Sequence, residues 1–430
     1  MLADILAQLQ KQASTGESGV AVAFELNWQC LEAEAQKLAC LLSLFALAPI
    51  PWSLVESAAS ASHLEFDFKA NCTILVERYL LQELADDTYQ VHERIRELLQ
   101  HKLEELTEAD ELKRGFCQAM VAVAQDVPQI ATLIHIAKAT LAIPHLAEVV
   151  TVYQTWLNDD DLIWPFEGLG RFYEGQGAYE QALPWYEQSL STGRERLGKS
   201  HPNVAISLNN LAELYRFQGR YSDAEPLYMQ ALEMIKRLLG ESHPNVAITL
   251  NNLALLYFYQ KRYIEAEPLS LQAIELDKRI LGEKHPDVAT DLHNLALIYR
   301  AQGRYNEAEA LFLQALKLKQ DLLPENHPLL ADTIYALGYM YKVQGRYNEA
   351  EPLCLKALEL DKHLWGNNHP SVAVSLNNLA ELYHLQGRYS EAEPLYIQAL
   401  KIAEQQLGAN HPNTITFRGN LEDLRRNRQP

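Results

Sequence analysis

Two groups of residues in this sequence have the types and spacing that chemistry could use. The first, residues 193–200 with the sequence GRERLGKS, has the spacing of a phosphate-binding loop. Such a loop needs a strand before it and a helix opening directly from it, so that backbone N–H groups surround the phosphate. Helical periodicity precedes this stretch and His201-Pro202 follows it. We therefore predict that it is the end of a helix and not a nucleotide site.

The second group consists of six histidines that are each followed by proline and that recur at one constant interval: His201, His243, His285, His327, His369 and His411. A metal ion needs its ligands ~2 Å away, whereas packed helices lie ~8–10 Å apart. Neighbouring copies are separated by a whole helix pair, so they cannot share an ion. We predict a structural role for each histidine at the start of a helix. Outside the repeat the sequence shows no catalytic triad, paired-carboxylate motif or Cys-x-x-Cys, and we predict no enzyme, cofactor or metal.

The elements that position these histidines form a repeat with the same 42-residue period. The phrase Gln-Gly-Arg-Tyr occurs at residues 218, 302, 344 and 386, and Gln-Lys-Arg-Tyr occurs at 260. A fixed period of this size predicts a solenoid, in which stacking of the units buries their apolar faces. Proline suits the first turn of a helix, and Gly219 supplies the left-handed turn that ends one. Capping boxes are predicted at the start of each second helix, at Ser222/Glu225, Asn306/Glu309, Asn348/Glu351 and Ser390/Glu393.

The repeat phrases Leu-Asn-Asn-Leu-Ala, Gln-Gly-Arg-Tyr, Glu-Ala-Glu-Pro-Leu and Leu-Gly-x-x-His-Pro closely resemble the repeats of kinesin light chains, over about 162–424. The resemblance implies an all-α fold: a right-handed tetratricopeptide-repeat superhelical solenoid of six helix pairs with a capping helix. It also implies a non-enzymatic scaffold that binds a protein or an extended peptide in its concave groove. Kinesin light chains carry a heptad coiled coil before their repeats. No sustained heptad precedes Leu162, so the N-terminal part does not predict a motor role.

The first 106 residues do not repeat. Helical segments are followed by a predicted β-hairpin, with strands at 80–84 and 89–92 around a turn at Asp86-Asp87. Residues 24–28 (FELNW), 35–38 (AQKL) and 89–93 (YQVHE) resemble the winged-helix segment of NB-ARC (STAND-type) signalling ATPases. In that family a Met-His-Asp tripeptide at this place reads the bound nucleotide, and His92 is the one residue that carries over. We predict a winged-helix-like domain at 1–106, a helical spacer at 107–160 and the solenoid at 161–430.

The family's nucleotide-binding core would lie upstream, and the stretch before the first predicted helix at Val20 has no room for it. Two interpretations stay open: the sequence is a fragment of a longer protein, or the domain persists without its ATPase. The alternative function is therefore the sensor or regulatory arm of a STAND-type ATPase whose nucleotide-binding core is absent from this chain.

Candidate binding residues lie on the first helix of each pair, opposite its apolar stripe. Asparagine is a mediocre helix former, so its recurrence in mid-helix calls for a reason. In tetratricopeptide folds an Asn at this register binds the backbone of an extended peptide; the alternative is that it bridges adjacent repeats. Further along the same face lie cations and aromatic rings, which would suit an acidic peptide with an aromatic anchor, unless the cations only form a solvated surface. The predicted groove comprises Asn209, Asn210, Asn251, Asn252, Asn294, Asn377, Asn378, Arg171, Arg216, Arg300, Lys342, His384, Phe258, Tyr259, Tyr335 and Tyr339.

The composition narrows the class of partner and the compartment. The formal net charge is −19 at pH 7, which argues against nucleic acid or a membrane surface as the main partner. The five cysteines are odd in number and most stand in apolar surroundings, which predicts reduced thiols. Residues 1–4 do not begin an export signal, and no apolar run is long enough to span a bilayer. We expect a cytoplasmic protein, and a homodimer formed through the exposed solenoid face is a further alternative.

Overall fold

The structure, a computed structural model, describes residues 19–427; residues 1–4, on which the expectation about an export signal rests, lie outside them. Helices dominate the non-repeating part, and three short strands interrupt them. The helices are α1 (Gly19–Gln29), α2 (Ala33–Leu42), α3 (Trp52–Ala61), α4 (Phe68–Glu77), α5 (Glu93–Glu105), α6 (Ala109–Asp126), α7 (Leu133–Ala139) and α8 (Ile143–Thr151). The strands are β1 (Ile50–Pro51), β2 (Gln82–Glu83) and β3 (Thr88–Gln90), and a 3-10 turn spans Gln154–Trp156.

Six helix pairs and one closing helix follow, as the repeat predicts. Repeat 1 is α9 (Trp164–Glu174) with α10 (Tyr179–Arg196), repeat 2 is α11 (Pro202–Phe217) with α12 (Tyr221–Leu239), and repeat 3 is α13 (Pro244–Tyr259) with α14 (Tyr263–Leu281). Repeat 4 is α15 (Pro286–Ala301) with α16 (Tyr305–Leu322), repeat 5 is α17 (Pro328–Val343) with α18 (Tyr347–Trp365), and repeat 6 is α19 (Pro370–Leu385) with α20 (Tyr389–Gln406). The closing helix is α21 (Pro412–Asn427). The expected all-α solenoid is confirmed.

The predicted hairpin is confirmed and belongs to a slightly larger sheet. Strand β2 pairs antiparallel with β3, and β3 also pairs antiparallel with β1, which gives the order β1-β3-β2. The sequence did not predict β1, because it is only two residues long and one of them is Pro51. His92 lies just after β3, is exposed, and caps α5: its Nδ1 accepts a hydrogen bond from the Arg94 backbone N–H at 3.3 Å.

The described chain packs as two compact units, one formed by residues 19–127 and 137–169 and the other by residues 128–136 and 170–427. We call the second the solenoid unit. Its core repeats the same small and large residues: Ala212, Ala224, Ala231 and Tyr228 are fully buried where helices of repeat 2 meet. In the first unit the Phe45 ring packs edge-on against Phe116, with centroids 4.9 Å apart. Each unit therefore has an apolar core of its own.

Each histidine of the His-Pro pairs caps the helix that follows, which confirms its predicted structural role. The proline occupies the first helical turn, where its missing N–H costs no hydrogen bond. The histidine Nδ1 accepts a hydrogen bond from the backbone N–H two residues later, at 3.1–3.3 Å in all six copies. The apparent phosphate loop is, as predicted, the end of α10, and Gly198 beyond it has a φ of +84°.

The predicted capping boxes are wrong. Helices α12, α14, α16, α18 and α20 begin after an arginine N-cap that makes no side-chain capping hydrogen bond. Three of the four assigned glutamates bind the arginine of the next repeat instead, and Glu393 binds Arg425 of the closing helix. Arg262 donates from one guanidinium nitrogen to both carboxylate oxygens of Glu225 at 2.8 Å, and it stacks on the ring of Tyr257, whose centroid is 3.9 Å from its guanidinium carbon. Such an ion pair outweighs a local cap because it satisfies several charged donors and acceptors at once.

Within residues 19–427, no single helix is long and apolar enough to cross a bilayer. The pair α7 and α8, bent by 65° at its break, passes the same test by length and composition only.

Candidate functional site

The first helices of successive repeats contact one another, from α11 to α21, more closely than the second helices do. They therefore form the inner side of the curve, and we call the side chains that they present there the inner face. Its registers follow positions 209, 210, 213 and 216 and the equivalent positions of each later repeat. All the predicted groove residues belong to first helices. Arg171 stands at the register of Glu213, one turn before that of Arg216.

The asparagines of the inner face bridge adjacent repeats. Asn252 Nδ2 donates to Asn209 Oδ1 at 3.3 Å, and Asn294 Nδ2 donates to Asn251 Oδ1 at 2.9 Å. The same bond recurs at the end of the chain, from Asn420 Nδ2 to Asn377 Oδ1 at 3.0 Å. The sequence reasoning missed Asn420, although it lies one repeat period after the predicted Asn of repeat 6. The bridging interpretation thus has direct contacts behind it, while a peptide-binding role for these amides stays a prediction.

The ladder changes where repeats 4 and 5 meet. His293 replaces the first asparagine, and its Nδ1 lies 3.2 Å from the Thr333 hydroxyl, which also accepts from Lys319 Nζ at 2.8 Å. Burial lowers the pKa of His293 below its usual value, and nearby Lys319 and Arg300 lower it further. Because the imidazole stays neutral, this buried position adds no cation to the inner face.

Asn378 resumes the register in repeat 6, with different partners. Its Nδ2 donates to the Cys354 sulfur at 3.3 Å, and its Oδ1 accepts from Lys342 Nζ at 2.6 Å. Asn210, its equivalent in repeat 2, is buried and accepts from Asn209 Nδ2 at 3.4 Å.

Two of the predicted cations are buried and already neutralised by carboxylates. Arg216 is 8% exposed, and its Nε donates to Glu213 Oε2 at 3.1 Å while its guanidinium lies over the ring of Tyr259. Lys342 is 1% exposed and forms an ion pair with Glu381, with Nζ 2.7 Å from Oε2. Burial lowers the pKa of Lys342, and the attraction of Glu381 partly offsets this shift. Neither cation offers an unbalanced charge to a ligand.

Arg300 differs from both. It is half-buried, and within residues 19–427 no carboxylate lies within 4 Å of its guanidinium. Its guanidinium carbon lies 4.5 Å from the centroid of the Tyr339 ring, and Lys342 Nζ lies 4.0 Å from the same centroid. Tyr335 is the next ring along the helix, with centroids 6.3 Å apart. We call Arg300, Tyr335, Tyr339, Lys342 and Glu381 the aromatic–cation cluster.

The remaining aromatic residues lie at the two sides of this cluster. Tyr259 is 44% exposed and stacks on Tyr221, with centroids 6.0 Å apart, and Phe258 packs edge-on against Tyr259. His384 is half-buried in repeat 6; its Nε2 lies 3.2 Å from Asn427 Nδ2 and its ring meets the edge of Tyr389. Of the predicted groove residues, Asn210, Asn378, Arg216 and Lys342 are buried, whereas Arg300, Tyr335, Tyr339 and His384 are half-buried.

A repeated array of ion pairs was missed by the sequence reasoning. In repeats 3–6 the arginine of the Arg-Tyr phrase binds a glutamate of the preceding repeat and another one turn later, and it stacks on the tyrosine near the end of the first helix. In repeat 2 the equivalent Arg220 binds Asp223 instead. The pairs across repeats are Arg262 with Glu225, Arg304 with Glu267, Arg346 with Glu309 and Arg388 with Glu351. Their separation along the chain is constant and was visible in the sequence. These contacts join each of repeats 3–6 to the repeat before it.

The fold and the inner face define a class: a solenoid of paired helices stacked through small residues. Models of the tetratricopeptide repeat match residues 161–237, 203–278, 245–321, 329–405 and 376–429, and a second tetratricopeptide model matches 293–364. These matches cover more than half of the sequence. The chain belongs to the tetratricopeptide repeat family.

Several solved structures are similar to this chain. BtubC (BKLC) from P. vanneervenii is 25% identical and has a TM-score of 0.41, with 55% of this chain and 94% of that chain covered. A protein from Podosopora anserina, described as a putative kinesin light chain with nearly identical TPR-like repeats, is 27% identical with a TM-score of 0.37, covering 48% and 97%. The STAND protein with a tetratricopeptide repeat sensor, PH0952 from Pyrococcus horikoshii, is 16% identical with a TM-score of 0.48, covering 93% and 61%. A search of curated protein sequences found no match.

Proposed function

We propose that this chain is a non-enzymatic scaffold that binds an extended peptide or protein segment along its inner face, in the manner of a kinesin-light-chain-like repeat protein. The observation that carries the proposal is the state of Arg300. A half-buried guanidinium without a carboxylate partner, stacked on Tyr339, is a site prepared for an anion.

The chemistry of the cluster favours a carboxylate on the ligand. Arg216 and Lys342 are balanced by Glu213 and Glu381, so a second acidic group would meet those glutamates as well as the cations. Only Arg300 would gain an ion pair without losing another. We therefore place one acidic side chain of the peptide, or its terminal carboxylate, at Arg300.

The rings around Arg300 favour an apolar or aromatic residue next to that acid. Tyr335 and Tyr339 are both half-buried, so each leaves part of its surface for a ligand. Rings in such positions supply much of the affinity at interfaces because they bury large areas at low entropic cost. The net charge of −19 opposes acidic ligands elsewhere on the protein, and it disfavours nucleic acid and anionic membranes as partners. Acidic ligands should therefore be recognised at one place.

Because the asparagines bridge adjacent repeats, their mutation affects stability as well as binding. Because Asn251 and Asn294 are buried and bonded to each other, their amides hold the repeats in register. Replacing Asn294 with alanine would leave the Asn251 oxygen without its donor, at a cost of about 1–3 kcal/mol. A loss of binding in that variant would therefore mix two effects, and Arg300 is the sharper position to test.

The experiment is a selection of displayed random linear peptides on the full chain. We expect enriched sequences that pair an acidic residue with a neighbouring aromatic one. A synthetic copy should bind Arg300→Gln about 10–100-fold more weakly, since a charged hydrogen bond contributes about 1.5–3 kcal/mol. Lys317→Gln is the matched control, because Lys317 is exposed on the second helix α16. A selection without enriched peptides, or equal losses in both variants, would refute the proposal.

A second candidate function rests on the β1-β3-β2 sheet packed among helices in residues 19–127. That arrangement favours a winged-helix-like domain, and we propose as the alternative that this chain is the sensor arm of a STAND-type switch. His92 would then lie at the end of the wing. Because the nucleotide-binding core of such a switch is absent from this chain, the test is whether the chain changes the ATP hydrolysis rate of a STAND-type core supplied separately; an unchanged rate would leave the scaffold function. Since four of the five cysteines are buried free thiols, we infer a cytoplasmic location for either function.

A further inference from the structure

The solenoid unit contacts itself from one superhelical turn to the next. The loop between the helices of repeat 1 meets the start of repeat 6: a Cβ placed on Gly177 would lie 2.4 Å from Pro370 Cδ. The loop of repeat 2 meets the start of α21 in the same way, with 2.7 Å from such a Cβ on Gly219 to Pro412 Cδ. Both contacts join a glycine of a Gly-x-Tyr loop to a proline of a His-Pro pair, and they step together by one repeat.

A hydrogen bond and an apolar contact accompany this packing. His411 Nε2 lies 2.9 Å from the Phe217 carbonyl oxygen, to which it donates as a neutral ring. Leu407 packs against the apolar core formed by repeats 1–3. His369, at the other contact, is 7% exposed. The glycine loop of one superhelical turn and the His-Pro helix start of the next therefore form two complementary surfaces.

The same glycine loops are open in the later repeats. Around the Cβ positions of Gly303, Gly345 and Gly387, no atom lies within 4 Å. These three glycines form one edge of the solenoid unit, which we call the glycine edge. Its members have φ values of +79°, +73° and +76°, close to the +70° and +72° of the occupied Gly177 and Gly219. The receiving surface is thus preformed and unfilled.

In the early repeats the complementary surface is half-buried, and no described loop glycine lies against it. Pro202, Pro244 and Pro286 begin α11, α13 and α15, and none of the described loop glycines has them as neighbours. His285 is half-buried, whereas His369 is buried. We call Pro202, Pro244 and Pro286 the proline edge. Like the glycine edge, it consists of three members spaced by one repeat period each.

We propose that a second copy of this chain docks its proline edge on the glycine edge, with Gly303, Gly345 and Gly387 of one copy receiving Pro202, Pro244 and Pro286 of the other. The interface continues, between molecules, the contact that repeats 1 and 2 already make with repeat 6 and α21. It is heterologous, because each copy uses a different edge. A copy that has docked still presents its own glycine edge, so the assembly is open-ended and not a closed dimer.

Repeat 3 supplies the variant that tests this interface. Lys261 occupies the glycine position there, with a φ of +63°, so the fold accepts a lysine at that place. The triple variant Gly303→Lys, Gly345→Lys and Gly387→Lys should fold and should fill the docking positions. For the other edge, Pro244→Glu with Pro286→Glu places acidic residues in the first turn of a helix, which suits the helix dipole. Gln314→Lys, on the exposed side of α16, is the control for added charge.

The experiment is sedimentation velocity of the full chain from about 1 μM to about 500 μM, a range that approaches the effective concentrations of tethered contacts. We expect the average mass to rise with concentration past two copies, in the wild type and in Gln314→Lys. Each edge variant alone should stay monomeric, and an equimolar mixture of the two should stop at a 1:1 dimer. A wild type that is monomeric throughout, a dimer that grows no further, or assembly unchanged in both edge variants would overturn the proposal. Circular dichroism confirms that each variant is folded; if the lysine variant unfolds, the glutamate variant decides.

Discussion

Two aspartates face each other between repeats 3 and 4, and their charge makes stability depend on pH. Asp277 of α14 and Asp291 of α15 are 3% and 2% exposed, and Asp291 Oδ2 is buried without a hydrogen-bond partner. Burial, followed by the repulsion of Asp277, raises the pKa of Asp291 from 3.8 to about 9. The charged groups that face the pair are Asp287, which raises both pKa values, and His285, which lowers that of Asp277. One proton must therefore be held in the folded state at neutral pH.

Replacing Asp291 with asparagine removes that requirement and keeps a hydrogen-bonding side chain. The folded pKa lies above the unfolded one, so the stability contribution of this proton is fully present below pH 3.8 and is lost as pH rises towards 9. Between pH 5 and pH 8 the wild type should lose up to about 1.4 kcal/mol per pH unit from this group, or about 4 kcal/mol in all. Asp291→Asn should not show this loss. Its advantage over the wild type should therefore grow steadily with pH.

The assay is urea unfolding followed by circular dichroism at several pH values, read as the difference between wild type and Asp291→Asn. Hydrogen exchange of the α14 and α15 amides should show the same trend locally, since repeat proteins open unit by unit. Asp321→Asn, at an exposed position of α16, is the control for losing an ordinary carboxylate. A difference that does not change with pH would refute the raised pKa of Asp291.

Three further predictions concern stability and packing. His145 is buried, accepts a hydrogen bond from the Ala46 N–H and lies 3.1 Å from the Pro49 carbonyl. Burial lowers its pKa to about 4, so its contribution to the free energy of unfolding, present above pH 6.5, should fall by about 3 kcal/mol as pH drops through 4. Urea unfolding of His145→Gln should not show this dependence on pH. Gly219→Lys should push Pro412 away and speed hydrogen exchange at the start of α21, whereas Gly345→Lys should leave exchange there unchanged. Arg346→Lys keeps the charge but loses the simultaneous hydrogen bonds to Glu309 and Glu349. The temperature of thermal unfolding should therefore fall, by an amount that decreases as salt is added. An equal fall at high salt would contradict the ion-pair explanation.

The repeat could be predicted from sequence because it rests on local signals. Proline after histidine begins a helix, glycine with φ > 0 ends one, and buried alanines lie where helices touch. Each of these signals acts within one helix pair. The prediction of capping boxes failed because Ser222 and Glu225 have the spacing of that motif, whereas Arg262, the stronger partner of Glu225, lies in the next repeat. The pairing of Glu213 with Arg216 was predictable from the sequence, since residues three apart meet on a helix. The contact between the loop of repeat 2 and the start of α21 was not, because it depends on the pitch of the whole superhelix.

For the residues of the inner face, too, the local signals could be predicted from the sequence and the contacts between helices could not. The sequence placed its asparagines, cations and rings on one side of the first helices, since a constant period aligns equivalent positions. Which cations are neutralised depends on distances between helices: Lys342 finds Glu381 in the next repeat, whereas within residues 19–427 Arg300 has no carboxylate within 4 Å. That difference is the reason why the proposed binding site is centred on Arg300 and not on all the cations of the inner face.

The central claim is that Arg300 binds an acidic group of a peptide, and a double-mutant cycle tests it most directly. Calorimetric titration would compare one selected peptide and its Glu→Gln or Asp→Asn counterpart against wild type and Arg300→Gln. If the two groups pair, each single change should weaken binding about 10-fold or more, and both together should weaken it little further. Independent losses that add, or a peptide whose affinity ignores Arg300, would contradict the proposed site.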